Sequence, residues 1–560
     1  MKAGEVLFQQ LLDGKIQYRV PLFQRTYSWQ EEHWQRLWDD ILEIYALEHP
    51  RSHFLGAIVT LPVMDAPEHC AKFVLIDGQQ RLTTLFILLS VMRNVAKSQS
   101  ATQRLADQIT EECLVNRFAL RQDERVKMKP TQQDLDEFNK VVLGDGTARS
   151  GRIGQAIRFF ERVIQEGDLD GQPLSLPRLH SCVTGYLALV SVKLDKEDSP
   201  HRIFESLNNT GMVLTASDLV RNHIFMQIHD EAEQTRAYQQ HWLPMQARME
   251  TTTGASYLSD FFWRYLMKDG SLPRYDEVFE GMRDYIDVQM RQHSQTVIQV
   301  LEELNRFSEH YACLCWPEKH EPGAKIAERL RRLNQWEVEV AYPMLLDAYD
   351  MRRAGVVTED DIVDLLEMIE SYVVRRLVCG IPTNRLRRVF ARMAGKVDHS
   401  DYVASCHKYL TDNEWPSDEV FREKFQTARV YIPSRLSRTR LILSSLEESY
   451  EHHEPLQMGE TITIEHIMPQ TLNDWWKEDL GPDYSETHER HLHTIGNLTY
   501  SGYNPEMGNA PFDEKKQVLA QSHFELNRDI VQSTRWMAEE IKSRAAKLAD
   551  RALVIWKRDG

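Results

Sequence analysis

The sequence FVLIDGQQRLTTLFILLSVM, residues 73–92, constrains the fold most because it joins two elements through a very short connection. The apolar run Phe73–Ile76 predicts a buried strand, and the long apolar stretch after Arg81 predicts a helix. Asp77 and Gly78 form the sharp polar turn between them. A strand that turns directly into a helix presents backbone N–H groups at the positive end of the helix dipole, so this turn is a candidate phosphate site.

Arg81 strengthens that interpretation because a planar guanidinium can hold phosphate oxygens through two parallel hydrogen bonds. A simpler explanation also fits. Asp-Gly turns are common, and a tight connection between strand and helix requires one whether or not a ligand binds. The pattern alone therefore indicates a turn and allows a phosphate site.

A second region of dense polar chemistry, residues 461–516, runs from TITIEHIMPQ to HTIGNLTYSGYNPEMGNAPFDEKK. An acid and a histidine end a short β-branched run, and three asparagines follow: Glu465, His466, Asn497, Asn504 and Asn509. A neutral imidazole can deprotonate water, and oxygen donors can hold a divalent ion at a scissile phosphate. The set supplies what one-metal phosphodiester cleavage requires, although each residue alone also suits a turn or a surface pair.

This region resembles the HNH nucleases, whose small site is built from two strands and a helix. On the matching positions, the resemblance implies that His466 is the general base and that Asn497 is a catalytic-site residue that fixes the loop. It implies that Glu465 and Asn504 are the metal ligands, with Mg²⁺ or Mn²⁺ as the cofactor.

Three further expectations concern the same region. We predict that Asn509 is a helix N-cap, because Ala-Pro-Phe follows it and proline is tolerated in a first turn. Lys515 or Lys516 would then point at DNA phosphate, and we predict Lys515 as the DNA-binding residue. The histidines of HERHLH have no partner acids at metal-ligand spacing, so we predict that His488, His491 and His493 are solvated helix residues.

The cysteines argue against a zinc-stabilised version of this fold. Many HNH proteins carry paired zinc-binding cysteines, whereas no cysteine follows Cys406 in this chain. The seven cysteines are scattered, which indicates neither a disulfide framework nor a structural zinc site. We expect packing by Trp475 and Trp476 to replace the metal.

Three motifs in the N-terminal half carry another resemblance: VPLFQRTYSW, IDGQQRLTTL and IFESLNNTGMVLTASDLVRNHIF. In this order they resemble the N-terminal domain of GmrSD-type restriction proteins, which is similar in fold to ParB and sulfiredoxin. The resemblance implies binding and hydrolysis of a nucleoside triphosphate such as GTP. The implied nucleotide-binding residues are Arg25, Asp77, Gly78, Gln79, Gln80, Arg81, Glu205, Asn208 and Asn209. No GxxxxGK[ST] loop occurs, so only this resemblance supports triphosphate use.

At 560 residues the chain is too long for one core, and we predict about three domains. We place a ParB/sulfiredoxin-like nucleotide-binding and sensing domain at 1–235, a helical, DNA-facing scaffold at 236–450, and an HNH endonuclease domain at 451–560. The predicted fold class is α+β and predominantly helical. A capped amphipathic pattern beginning at Thr358 is the clearest helix of the scaffold.

The net charge of −17 argues against indiscriminate nucleic-acid binding, which needs clustered cations. The stretch after Glu370 is free of acids as far as Asp398, however, and we predict that Arg385, Arg387 and Arg388 contact DNA. A solvated helix face explains any one of these arginines equally well.

Taken as a whole, the chain resembles a single-chain, type IV, modification-dependent restriction endonuclease of the GmrSD type, related to BrxU and SspE. The resemblance implies nucleotide-regulated, metal-dependent cleavage of double-stranded DNA with modified bases or backbone, in defence against phage. No apolar run reaches the length of a membrane span and no signal peptide is evident, so we expect a cytoplasmic protein without a membrane partner. A homodimer is compatible with the sequence.

Two other functions stay open at this point. One is a ParB-like DNA-binding regulator that is switched by a nucleotide and has a degenerate nuclease domain, although the intact Glu465-His466 pair and Asn504 count against it. The other is an RNA-directed nuclease, because the chemistry of phosphate cleavage is shared.

Overall fold

The computed structural model describes residues 2–63, 70–119, 121–144, 151–169, 172–194, 215–228, 230–251, 256–450, 462–502 and 507–558. Its internal contacts divide the chain into two units. Unit 1 comprises Met1–Leu243 with Thr296–Ile298, and unit 2 comprises Pro244–Gln295 with Gln299–Gly560. The division of the C-terminal part into a scaffold and a nuclease domain at residue 450 stays a prediction.

Unit 1 contains a mixed β-sheet, as the α+β prediction requires. Its strands and a small hairpin are β1 Lys2–Leu7, β2 Ile16–Arg19, β3 His53–Val63, β4 Ala71–Asp77, β5 Met128–Lys129, β6 Asp168–Leu169, β7 Gln172–Pro173 and β8 Leu187–Lys193. The sheet has the order β1-β8-β3-β4-β2-β5, and β6 and β7 form a separate two-stranded hairpin. The β1–β8 and β3–β4 pairs are antiparallel, whereas β3–β8, β2–β4 and β2–β5 are parallel.

Helices pack around this sheet. They span Phe8–Leu12, Glu31–Ala46, Gln79–Lys97, Gln103–Gln108, Leu135–Leu143, Gly151–Glu166, Leu176–Gly185, Ala216–Met226 and Glu231–Ala237. The helix Gln79–Lys97 is buried along almost its whole length, because its own apolar side chains lie on every face. The predicted strand, turn and helix are thus confirmed, with Gly78 as the residue between β4 and the helix.

Unit 2 is mostly helical. From the end of unit 1 to the nuclease region, the helices span Leu243–Met249, Leu258–Leu266, Val278–Gln292, Val297–Cys315, Pro317–His320, Ala324–Gln335, Tyr342–Arg353, Glu359–Val378, Leu386–Ala394, Tyr402–Thr411, Asp418–Thr427 and Leu436–Glu448. The predicted cap is confirmed, since the Thr358 hydroxyl accepts the Asp361 N–H. None of the helices described is both long and apolar enough to cross a membrane.

The region that the sequence predicts to be a nuclease is described over 462–502 and 507–558, where it contains a hairpin and a set of helices; we call it the nuclease region. Strands β9 Thr463–His466 and β10 Leu498–Ser501 pair antiparallel, and the helices span Asp474–Leu480, Tyr484–His491, Phe512–Leu519, Arg528–Gln532 and Ala538–Ile555. Trp476 is fully buried in the core of this region, and its Nε1 donates to the Ala510 carbonyl at 3.0 Å. Packing by this tryptophan is as expected, whereas Trp475 is 36% exposed.

The predicted role of Asn509 is wrong. The helix begins at Phe512, and Pro511 occupies the N-cap position. The backbone carbonyl of Asn509 instead accepts a hydrogen bond from the Asn473 side chain at 2.9 Å. Proline in the N-cap position, with an extended ψ of 153°, starts the helix two residues later than an Asn509 cap would.

Candidate nuclease and nucleotide sites

Glu465 and His466 end strand β9, where the register with β10 fixes them. His466 lies opposite Leu498, and Glu465 opposite Thr499. Both side chains are buried, with 8% of Glu465 and 4% of His466 exposed. Burying an acid and an imidazole side by side is costly unless each has a polar partner, so the partners define the site.

The partner of His466 is a second histidine. Nε2 of His466 lies 3.1 Å from Nδ1 of His493, within hydrogen-bond distance. Burial, with a smaller contribution from His493, lowers the pKa of His466 to about 3. Burial also lowers the pKa of His493. Both imidazoles are therefore neutral near pH 7, and neutral imidazole is the form that can accept a proton from water.

The prediction that the histidines of HERHLH are solvated is wrong. His491 is buried, and Nε2 of His488 lies 2.9 Å from the Pro469 carbonyl oxygen. His493 follows the helix Tyr484–His491 and precedes β10. The sequence contained a signal for this placement. GNLTY and TIEH each predict a short strand, and pairing of the two strands brings His493 beside His466.

The partner of Glu465 is a lysine on the helix Phe512–Leu519. Nζ of Lys515 donates to Glu465 Oε1 at 2.6 Å and to the His466 carbonyl at 2.9 Å, with the side chain fully buried. Burial raises the pKa of Glu465, an effect that Lys515 opposes. This placement differs from the prediction that Lys515 contacts DNA, since the ammonium lies inside the protein.

Asn497 holds the loop that follows β9. Its Oδ1 accepts the Met468 N–H at 2.8 Å and the Trp536 Nε1–H at 3.1 Å. Its Nδ2 donates to the carbonyls of Met468 at 3.0 Å and Leu492 at 2.9 Å. These bonds use the whole capacity of the amide. Because it is also fully buried, Asn497 is a positioning residue here.

A buried arginine fixes the other side of the same loop. The guanidinium of Arg544 donates to the carbonyls of Ile495, Gly496, Leu498 and Leu526. Gly496 packs so closely on the helix Ala538–Ile555 that a Cβ added there would lie 2.2 Å from the Ile541 carbonyl oxygen. Burial lowers the pKa of Arg544 to about 10, which still leaves it charged.

The side chains around Glu465 and His466 can be compared with the ligands that a divalent ion requires. In the described part of the chain, no three His, Cys, Asp or Glu side chains are grouped closely enough to hold a metal. The second predicted ligand, Asn504, lies outside the described residues. Mg²⁺ usually binds through one or two carboxylates, with waters and substrate phosphate completing its shell. Among the described residues, the carboxylate of Glu465 fits that mode of binding.

The candidate nucleotide site in unit 1 is built on the turn at Gly78. This glycine has a φ of 91°, and an added Cβ would lie 2.6 Å from Ile58 Cγ2, so only glycine suits the position. The N-cap residue of the helix Gln79–Lys97 is Gly78, which has no side chain to cap the first turn. The first N–H groups of a helix have no partner within it, which leaves them open to an anion.

Two of the predicted nucleotide-binding residues have structural partners. Oε1 of Gln80 accepts the Ser28 N–H at 2.8 Å, and Nε2 donates to the Thr26 carbonyl at 3.1 Å. Nη1 of Arg81 donates to the Ala57 carbonyl of β3 at 2.6 Å. Gln80 thus ties the QRTYSW segment to the turn, and Arg81 ties the helix to β3.

Arg25 and Gln79 are less completely satisfied. Nε of Arg25 and Oε1 of Gln79 are buried and have no hydrogen-bond partner within the described ranges. Burial lowers the pKa of Arg25, while Asp218 and Asp77 raise it. The structure therefore brings Arg25 and Asp77 together, as the motifs imply. Buried polar atoms without partners call for an explanation, and a bound ligand is one.

A third arginine joins this site that the sequence prediction missed. Arg221, on the helix Ala216–Met226, pairs with Asp218 at 2.7 Å, and it influences Arg25 electrostatically. Nε of Arg221 and Oδ1 of Asn222 are also buried without partners in the part of the chain described. The signal was the sequence DLVRN within the third motif itself. Glu205, Asn208 and Asn209 lie outside the described residues.

The arginines predicted to face DNA are exposed, unlike their neighbours. Arg375 and Arg376 of the same acid-free stretch are buried. Arg385, Arg387 and Arg388 are exposed at the start of the helix Leu386–Ala394. Nη1 of Arg385 lies 3.9 Å from a carboxylate oxygen of Glu414, and the guanidinium of Arg387 lies over the Trp263 ring. Contacts of this kind are also found on ordinary solvated surfaces, so they do not by themselves indicate DNA binding.

Two family models match the chain. The model described as the N-terminal domain of GmrSD restriction endonuclease matches residues 8–225. The model described as the C-terminal domain of GmrSD restriction endonucleases matches residues 415–551. The first match includes the turn at Gly78, and the second includes β9, β10 and the residues that surround them. No curated protein matches the chain.

Proposed function

Because this chain belongs to the GmrSD restriction endonuclease family, we propose that it is a type IV enzyme that cleaves modified double-stranded DNA at an HNH-like site centred on His466. The observation that supports this site best is the neutral, buried imidazole of His466 directly beside a carboxylate, on a strand held in register by β10. Hydrolysis of a phosphodiester needs a base for water and a means of balancing charge on the phosphate.

His466 acts as the general base in this proposal. We assign the shared proton of the histidine pair to His466 Nε2, which donates to Nδ1 of His493. That tautomer leaves Nδ1 of His466 as the acceptor for the proton of the attacking water. His493 fixes the ring and its tautomer, which is a positioning role. A phosphate brought close would raise the pKa of His466 and make it a stronger base.

Glu465 and Asn504 would hold a divalent ion, Mg²⁺ or Mn²⁺. When bound, such an ion neutralises charge on the scissile phosphate and on the leaving oxygen. Lys515 orients Glu465 through the 2.6 Å contact between ammonium and carboxylate. Cleavage in this way leaves a 5′-phosphate and a 3′-hydroxyl, as the HNH resemblance implies.

The turn at Gly78 would hold the phosphates of a nucleoside triphosphate that regulates cleavage. Arg25, Gln79 and Arg221 each offer a buried polar atom without a partner among the described residues, and the helix start adds its N–H groups. Two guanidinium groups at one site favour an anion. Asp77 and Asp218 are acidic neighbours that could accompany a cation bound with the triphosphate.

One contact favours the alternative of a nucleotide-switched DNA-binding regulator without cleavage. Lys515 occupies Oε1 of Glu465, an oxygen that a metal ion would otherwise use. In that case the buried ammonium would replace the metal, and the chain would bind DNA without cutting it.

One digestion experiment separates these functions. Phage DNA with modified cytosines, the same DNA without modification and an RNA of similar length are digested in parallel, with Mg²⁺ or EDTA, and with each nucleoside triphosphate or none. The proposal predicts Mg²⁺-dependent cutting of the modified DNA that changes with one of the nucleotides. Binding of DNA without cutting under every condition would favour the regulator, and cutting of RNA alone would favour an RNA nuclease.

A further inference from the structure

A segment that precedes the nuclease hairpin forms part of the candidate active site. The backbone N–H groups of Val430 and Tyr431 both lie within hydrogen-bond distance of the His493 carbonyl, at 3.0 and 3.3 Å. Arg429 forms an antiparallel bridge with Thr494. We call Arg429–Tyr431 the site wall. The sequence alone predicts this segment to belong to the scaffold, 236–450.

The ring of Tyr431 covers both histidines of the site. It stacks on His493 with a centroid distance of 5.3 Å and an interplanar angle of 10°. It meets His466 nearly edge-on, at 4.5 Å and 75°. Aromatic contacts of this kind restrict the planes of the rings that they touch. Tyr431 therefore limits how far either imidazole can rotate.

Arg429 places an unpaired positive charge beside the same histidines. Its side chain is exposed, and it forms no ion pair with any carboxylate in the described ranges. It lies close enough to His493 to lower its pKa, an effect second to burial. Two nearby arginines differ in this respect, because Arg422 pairs with Asp550 and Arg438 with Glu337.

An exposed guanidinium without a carboxylate, next to a neutral histidine pair, is suited to bind an anion. The proposed substrate supplies one, since the DNA backbone carries a phosphate at every nucleotide. We infer that Arg429 binds the DNA backbone beside the scissile phosphate and that Tyr431 is a positioning residue that sets the orientation of His466 and His493. This inference rests on the proposed nuclease function, and it extends the site to a segment outside the HNH motif.

The binding test uses the full-length chain and a short labelled DNA duplex in EDTA, so that no cleavage interferes. Affinity is measured over a range of salt concentrations for wild type, Arg429→Gln, Arg429→Lys and the control Arg422→Gln. Loss of one phosphate contact reduces the slope of log affinity against log salt by about 0.9. We expect that reduction for Arg429→Gln, a largely restored slope for Arg429→Lys, and the wild-type slope for Arg422→Gln.

The kinetic test separates the two residues of the wall. Arg429→Gln should raise KM for cleavage by about tenfold to a hundredfold, as expected for a lost charged hydrogen bond. Tyr431→Ala should lower kcat without changing the salt slope, and Tyr431→Phe should behave as wild type because the ring is retained. Melting temperatures of the variants identify any that are misfolded.

The outcomes distinguish this inference from the function on which it rests. If wild type binds and cuts DNA but Arg429→Gln has an unchanged slope and an unchanged KM, the phosphate role of Arg429 is wrong and the nuclease stands. If Tyr431→Ala has the wild-type kcat, the positioning role is wrong. If wild type neither binds nor cuts DNA, both this inference and the proposed function are overturned.

Discussion

Lys515 donates a hydrogen bond to Glu465 at 2.6 Å, although the lysine side chain is completely buried and the glutamate nearly so. The two charges lie next to the proposed base, and the ammonium also contacts the His466 carbonyl at 2.9 Å. Breaking a buried pair by removing one partner is strongly destabilising, because the other charge is left without compensation. This contact therefore links the stability of the nuclease region to its chemistry.

Lys515→Met should destabilise the protein by about 3–5 kcal/mol, since it leaves the Glu465 carboxylate buried and unpaired. Adding Glu465→Gln to that variant should recover part of the loss, because the unpaired charge is then absent. Urea unfolding of wild type, both single variants and the double variant measures the coupling between the two positions. Strictly additive effects would mean that the two side chains do not interact as described.

The close contact between Gly496 and the helix Ala538–Ile555 provides a test of how tightly this loop packs. Gly496→Ala should destabilise the protein by about 1–3 kcal/mol, because the added Cβ meets the Ile541 carbonyl and the helix must shift. Gly502 is the matched control, since a Cβ added there has no atom within 4 Å. Denaturant midpoints for Gly496→Ala and Gly502→Ala should differ clearly, and equal midpoints would contradict the close packing of this loop.

The buried His491 predicts a specific dependence of stability on pH. Burial lowers the pKa of His491 below its usual value of about 6.5. His491 therefore binds a proton at a higher pH in the unfolded chain than in the folded chain. The free energy of unfolding keeps its full value above about pH 6.5 and decreases as the pH falls below it. His491→Gln should flatten the dependence of unfolding free energy on pH between about 7 and 5. The exposed His523→Gln is the control and should leave it unchanged.

Arg25 and Arg81 should respond differently to substitution, although both belong to the candidate nucleotide site. Arg25→Ala should weaken triphosphate binding by about tenfold to a hundredfold, the cost of a lost charged hydrogen bond. Arg81→Ala removes the hydrogen bond to Ala57 of β3, so it should lower the melting temperature as well. Calorimetric titration with nucleotide and thermal melting separate the two effects. Unchanged nucleotide affinity in Arg25→Ala would remove it from the site.

Local patterns in the sequence predicted local structure well. The strand, turn and helix around Gly78 and the cap at Thr358 are confirmed because each depends on neighbouring residues. The position of Lys515 depends on which face its helix buries. Phe512, Lys515 and Leu519 share one face at a spacing of three and seven residues, so burial of the two apolar residues also takes the lysine inward.

Contacts between residues that are far apart in the sequence explain the other places where the structure differs from the predictions. His493 joins His466 only because β10 returns beside β9, and Tyr431 joins them across 35 positions of sequence. Arg221 joins Arg25 through the packing of the helix Ala216–Met226. Single residues of these kinds are ordinary in a sequence, and a fold is required to place them side by side.

Cleavage by His466→Ala tests the assignment of His466 as the general base. The variant, wild type and the neighbouring control His488→Ala are incubated with modified phage DNA in Mg²⁺, and DNA binding is measured in parallel in EDTA. We predict that His466→Ala binds DNA as wild type does and no longer cuts it, because the base contributes to chemistry rather than to binding, while His488→Ala retains cutting. Equal rates of cutting by wild type and His466→Ala would contradict the assignment of the active site.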